Sequence, residues 1–263
     1  MFNATHFTYD GVFSGTYGLL IADFDDSSVV ETSAFSPSLN TNKPSKINRF
    51  FHNGIVYEAA PQHQFSIISE QPINELVRRE ILSWLVGRDS YKVLEIHQPD
   101  LEDYEYRCVF TNTEIIYVHG ECHGFRLTAN FDSIYQYGRP SVLNVSGTGV
   151  EKTVTIMNNS DIKDDYVYPM VYFKSSAAVN GNNISITNIT DDSQRHFVFK
   201  GLYDNEEVTV DNELKHISSS RAGEKLSTFN KNWLRLRPGV NRLKITINGT
   251  VKITCPTYVM LGF

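Results

Sequence analysis

The densest grouping of ligand-type side chains is His119-Gly120-Glu121-Cys122-His123, two imidazoles, a carboxylate and a thiol within a single short stretch. Zinc takes such donors tetrahedrally, but His residues four apart share one face only on a helix. The flanking residues alternate as strands do, so the stretch reads as a turn between strands and is assigned no metal. Adjacent acids, Glu102-Asp103 and Asp164-Asp165, invite comparison with glycosidases, which need two carboxyl groups flanking one bond. Neighbouring acids in a turn are ordinarily just solvated. Ser146-Gly147-Thr148-Gly149 is glycine-rich but precedes a strand, so it lacks the helix N-terminus that would hold phosphate. Neither Gly-x-Ser-x-Gly nor His-Glu-x-x-His occurs. No catalytic residue, cofactor or metal is expected.

Trp233 is the obvious ring on which a sugar could stack. It lies in Asn232-Trp233-Leu234-Arg235-Leu236 beside an apolar strand, where packing in a core is the stronger expectation. Cys108, Cys122 and Cys255 are too few and too scattered for a disulfide framework and read as buried thiols. Cys108 and Cys122 could lie on paired strands.

The 263 residues allow two compact domains, and 41% hydrophobic with 21% charged residues is ordinary globular composition. The net charge of −6 comes from interspersed acids, and Lys and Arg form no stripe, which argues against nucleic acid. The opening MFNATHFTYDGVF has no basic flank before an apolar run, and no segment has the length and apolarity to span a membrane. A soluble protein without a secretion signal is expected, in which sequons such as Asn144-Val145-Ser146 carry no glycan.

One stretch has helical periodicity. From Pro72 to Gly87, Ile73, Leu76, Val77, Ile81, Leu82 and Leu85 recur at three- and four-residue steps, with Arg78, Arg79 and Glu80 mostly on the other side. Pro72 suits a first turn and Gly87 a stop. Almost everything else reads as strand. Phe65–Ile68, Lys92–Ile96, Tyr104–Phe110, Glu114–Val118 and Gly124–Phe131 are β-branched and aromatic or alternate in polarity. At Tyr137-Gly138-Arg139-Pro140-Ser141 the pattern breaks, and the domain boundary is placed there, giving domains 1–138 and 139–263. Short strands follow at Val154–Met157, Val167–Phe173, Ile184–Thr187, Arg195–Phe199 and Glu207–Val210, separated by turns such as Asn180-Gly181-Asn182-Asn183, a pattern for a β-sandwich. Pro238-Gly239 turns into an apolar closing strand, Val240 to Ile247.

Arg49-Phe50-Phe51-His52-Asn53-Gly54-Ile55-Val56-Tyr57 has two readings. Asn53-Gly54 is a strong hairpin-turn signal between apolar residues, so the stretch could be an extended arm reaching a neighbouring chain. It could equally be an ordinary hairpin whose Phe50 and Phe51 pack in their own core.

Trp233-Leu234-Arg235-Leu236-Arg237-Pro238-Gly239-Val240-Asn241-Arg242-Leu243 resembles the near-terminal signature of the distal tail proteins of phages with long, non-contractile tails and Gram-positive hosts. Tyr17-Gly18-Leu19-Leu20-Ile21-Ala22-Asp23-Phe24-Asp25 resembles that family's early strand, and Ile81-Leu82-Ser83-Trp84-Leu85 its helix ending in Trp-Leu. The three features keep the family's order and span the chain. Where the family often has a Pro-Gly-Arg turn near position 45, this chain has Lys43-Pro44-Ser45-Lys46. The resemblance implies a mainly β chain of two domains. The first is a β-sandwich or split-barrel-like domain with one α-helix at about 72–87; the second is a galectin-like β-sandwich. It implies a homo-hexameric ring hub at the distal end of the tail tube, in the virion, assembled in the host bacterial cytoplasm. Implied partners are the tail tube protein and tail-associated, tail fibre or receptor-binding proteins, with no nucleic-acid specificity and no membrane. Arg49, Phe50, Phe51, His52, Asn53 and Gly54 are then the ring-interface arm, and Trp233, Leu234, Pro238, Gly239, Asn241 and Leu243 a structural motif. A carbohydrate-binding adhesin module, with weak carbohydrate binding by the second domain, and a cell-wall glycan hydrolase are the alternatives.

Overall fold

The structure is a computed structural model that describes residues 5–22, 37–46, 48–57, 59–163, 165–176, 182–221, 223 and 225–262. The expectations placed on Asp23, Phe24, Asp25, Asp164, Asn180 and Gly181 lie outside the described residues. The fold is mainly β with one α-helix. It forms two compact units, Met1–Gln136 with Met260–Phe263, and Tyr137–Val259.

In the first unit the elements are β1 (Phe7–Tyr9), β2 (Val12–Phe13), β3 (Leu19–Ile21), β4 (Ser38–Asn42), β5 (Phe51–Val56), β6 (Gln62–Ser69), α1 (Glu75–Leu85), β7 (Lys92–Ile96), β8 (Tyr104–Val118) and β9 (Glu121–Phe131). Neighbouring strands run β3-β6-β9-β8-β7-β1-β2, antiparallel at every pairing. The two runs expected at Tyr104–Phe110 and Glu114–Val118 are one strand, β8, whose register against β9 shifts between Thr111 and Glu114. A bulge lets one strand change twist while keeping its partner, which is why polarity breaks where pairing does not.

The helix is shorter than its apolar pattern. Asn74, not Pro72, sets its start: the Asn74 side-chain oxygen accepts the Val77 N–H at 3.0 Å, satisfying one of the donors a helix start leaves open. Ile81, Trp84 and Leu85 are buried, whereas Leu76, expected on the apolar stripe, is 68% exposed. The indole of Trp84 turns the stripe: it stacks on Phe7 at 5.8 Å and Tyr17 at 5.5 Å, and its Nε1 donates to the Tyr9 carbonyl at 2.9 Å. Leu76 lies nine residues from Leu85, half a turn out of phase, so the face that buries Ile81 and Leu85 leaves Leu76 on the wet side.

The second unit is a two-sheet sandwich. Its strands are β10 (Tyr135–Thr148), β11 (Lys152–Asn158), β12 (Met170–Ser175), β13 (Asn182–Asn188), β14 (His196–Leu202), β15 (Glu207–Asp211), β16 (His216–Ser219), β17 (Gly239–Thr246) and β18 (Asn248–Met260). One sheet runs β16-β15-β12-β18-β10 and the other β11-β17-β13-β14. Between them pack alternate residues of each strand, including Phe173, Phe197, Phe199, Ile245 and Ile253. Two expectations are corrected here. Gly138 and Pro140, read as a break, lie inside β10. The apolar run after Pro238-Gly239 does not close the chain: β18 follows it in the opposite sheet, paired with β12.

Candidate functional site

The segment singled out at Arg49–Gly54 lies in a two-stranded sheet of its own, β4 against β5. The pairing corrects the reading of Asn53-Gly54 as its turn. Thr41 faces His52 and Leu39 faces Ile55, so Asn53 and Gly54 together oppose Asn40 alone, and the register shifts there. They form a bulge within β5, with Gly54 at φ 114°, a conformation that a side chain would strain. The connection lies instead between Asn42 and Phe51, with a turn at Ser45-Lys46.

No described residue between 37 and 57 is buried. Phe50 is 66% and Phe51 47% exposed, which removes the reading in which they pack in their own core. An isolated hairpin is marginal in water because it has neither a third strand nor a covered face. Here both faces carry apolar side chains, Leu39, Phe50, Phe51, Ile55 and Val56, and no described residue of the first unit's core belongs to the hairpin. Such a surface lowers its free energy only when something covers it.

The second singled-out group is internal. Leu234 and Leu243 are buried, and the half-buried Trp233 packs edge-on to Phe229 at 4.9 Å against the sandwich core. The strandless run from Trp233 to Pro238 is held by asparagines. Asn241, fully buried, donates to the Arg237 and Gly239 carbonyls at 2.7 and 3.0 Å and accepts the Arg237 N–H at 2.9 Å. Asn188 donates to the Arg235 carbonyl and to Asn241 Oδ1, Asn158 to the Arg237 carbonyl, and Asn212 accepts the Leu234 N–H. Leu236 bridges the Val167 backbone, its N–H donating at 2.8 Å and its carbonyl accepting at 2.9 Å, and the amides take the Leu234, Arg235 and Arg237 groups, which is what burial demands. Pro238-Gly239 then turns the chain into β17.

Other candidates come apart. His119 and Gly120 form the turn between β8 and β9; Cys122 is buried, while the neighbouring His123 ring meets the Ser69 carbonyl at 3.1 Å, so the donors do not converge. Among the described residues no group of His, Cys, Asp and Glu could hold a metal ion. Cys108 and Cys122 are on paired strands but face Phe131 and Tyr117, and all three thiols are free and buried. Burial pushes the Cys255 thiol up to about 12 and raises that of Cys108 as well. Gly147 is glycine for contact: a Cβ there would stand 2.4 Å from the Ile247 carbonyl oxygen.

A family model described as phage tail protein N-terminal domain matches residues 2–133, and one described as phage tail C-terminal domain matches residues 135–255. The chain belongs to this phage tail protein family. The Dit (gp 19.1) protein of phage SPP1, described as a paradigm of the hub adsorption apparatus in phages infecting Gram-positive hosts, has a similar fold. That likeness has a TM-score of 0.68 and 14% identity, and covers 97% of this chain and 99% of the other. A chain of the phage P2 baseplate, in its activated conformation with calcium, is similar with a TM-score of 0.56 and 8% identity over 97% and 98% of the two chains. No curated protein matches significantly in sequence. The resemblance to distal tail proteins thus agrees with family and fold, and the tail protein's two family segments together run through nearly all of it.

Sequence reasoning missed the partner strand of the arm. Ser38-Leu39-Asn40-Thr41-Asn42 has one apolar residue and no alternation, because neither of its faces is buried. The asparagine clamps were missed for a different reason. A buried Asn is indistinguishable in sequence from one in a solvated turn.

Proposed function

We propose that this tail protein is a structural hub subunit: a homo-hexameric ring at the distal end of the tail tube, linking the tube to the baseplate or receptor-binding apparatus. In this reading residues 1–138 form the ring, with residues 260–263 completing that unit, and the remainder of 139–263 projects as sandwiches that tail-associated, fibre or receptor-binding proteins grip. Its role is structural rather than catalytic, within the virion tail tip, and assembly takes place in the host bacterial cytoplasm. The observation that carries it is the exposed hairpin of β4 and β5, apolar on both faces and uncovered among the described residues. Cyclic assemblies need two different complementary patches per subunit, and a projecting arm supplies one of them. The likeness to the SPP1 hub protein over nearly the whole of both chains supports the same role.

Native mass spectrometry with negative-stain microscopy of the full chain tests it. Six-membered rings with a central hole are expected, and replacement of residues 39–55 by a short Gly-Ser loop should yield folded monomers. Wild-type chain that stays monomeric at high concentration, alone and with neighbouring tail components, would remove the reading. Rings that survive the replacement would remove the arm from it.

A further inference from the structure

Residues 37–57 contain Lys43, Lys46 and Arg49 and no carboxylate. Lys43 Nζ stands 5.5 Å from the Phe50 ring centre, so the hairpin presents cations beside exposed aromatic surface. None of the three cations has an acidic partner among the described residues.

The first unit also carries a surface of opposite character. On the sheet face turned from the core, Phe13 stands opposite Thr8, Thr8 opposite Glu95, and Glu95 opposite Glu105, one row across β2, β1, β7 and β8. Two carboxylates directly opposite on paired strands repel. Neither Glu95 nor Glu105 has an ion pair among the described residues. Between Leu94 and Tyr106 there is no Lys or Arg, while the β7–β8 connection adds Asp100, Glu102 and Asp103. Arg107, opposite Val93, lies on the next row, and His97 bonds Thr8 at 2.7 Å. Phe13 is 45% and Val93 36% exposed, so the face is apolar as well as acidic.

We propose that the Lys43, Lys46 and Arg49 side of the hairpin seats on the Phe13, Glu95 and Glu105 face of a second copy of this chain. The inference rests on the reading that the hairpin joins copies and names the surface it joins. Both halves of the contact are mixtures of exposed aromatic groups and charge, of opposite sign, on different elements of one chain. Such a contact is head-to-tail, the kind that generates rings when its rotation closes. Pairing with cations relieves the repulsion between the two glutamates.

The test uses full-length chain, with assembly measured by sedimentation velocity over a concentration series and folding checked by circular dichroism. In low salt, Lys43→Glu/Lys46→Glu/Arg49→Glu and, separately, Glu95→Lys/Glu105→Lys should each raise the concentration for half-assembly by about tenfold or more. The chain carrying all five substitutions should return to within about threefold of wild type, because both signs are then exchanged. Assembly of the Glu95→Lys/Glu105→Lys chain equal to wild type, with the arm variant impaired, would overturn this acceptor face and leave the ring reading standing. Absence of recovery in the five-fold variant, with all chains folded, would overturn it too. Wild-type chain that never assembles would bring down the ring reading and this inference together.

Discussion

Asp191 shows how single side chains hold the sandwich. It is buried, and burial by itself would favour its neutral form, yet Arg235 donates Nε to Oδ2 at 2.7 Å and Nη2 to Oδ1 at 3.2 Å. Ser193 adds its N–H and hydroxyl, and together these hold the Asp191 carboxyl at about 2. The guanidinium in turn lies 3.8 Å over the Tyr166 ring. A carboxyl depressed by folding contributes stability that is complete above its unfolded pKa and lost as pH falls through the folded one. Urea unfolding should therefore lose about 2 kcal/mol from this group between roughly pH 4 and pH 2. Arg235→Met should cost about 3 kcal/mol at neutral pH by leaving Asp191 buried and unpaired. The same variant should lose this share of the acid sensitivity, since protonating an unpartnered Asp191 relieves it. An acid dependence identical in the variant and wild type would show that the pair is not what titrates.

At the scale of elements, what could be read from sequence was what burial writes into it. The strands at Lys92–Ile96, Phe65–Ile68 and Ile184–Thr187 and the single helix were legible because one face of each is covered and the other wet. The arm was legible only in part. Its aromatic strand stands out, but Asn53-Gly54 reads as a turn because Asn-Gly suits both a tight turn and a bulge, and only the partner strand decides between them. The opening hairpin of β1 and β2 went unread although Asp10-Gly11 is a turn signal, since strands of three and two residues are too short to show a period. Helix α1 tests the distinction between pattern and packing. Leu76 and Leu85 both belong to the apolar pattern, but nine residues put them half a turn apart, and Leu85 is fully buried and Leu76 68% exposed. Leu85→Ala should cost about 3 kcal/mol through the cavity it leaves, and Leu76→Ala less than about 0.5 kcal/mol. Thermal or urea unfolding of the two variants checks this; equal losses would mean that Leu76 is covered as fully as Leu85.

For the molecule as a whole, chain order and structural unit part company at the end. β18 pairs along β12 in the second sandwich, yet the residues that follow belong to the first unit. Leu261 is buried in the core that holds Trp84 and Phe131, and its N–H donates to the Ile134 carbonyl at 3.0 Å. The first unit is therefore built from residues 1–136 together with 260–263. That dependence has a measurable consequence. A chain ending at Val259 loses the burial of Leu261, worth about 2 kcal/mol, and the Leu261–Ile134 backbone hydrogen bond, worth about 1 kcal/mol. Hydrogen exchange read by mass spectrometry should then show faster exchange in β8, β9 and α1 and unchanged protection in β12, β13 and β15, because Leu261 packs in the first core. Protection lost evenly across both units, or retained everywhere, would be incompatible with a terminal segment that closes one core and leaves the other untouched.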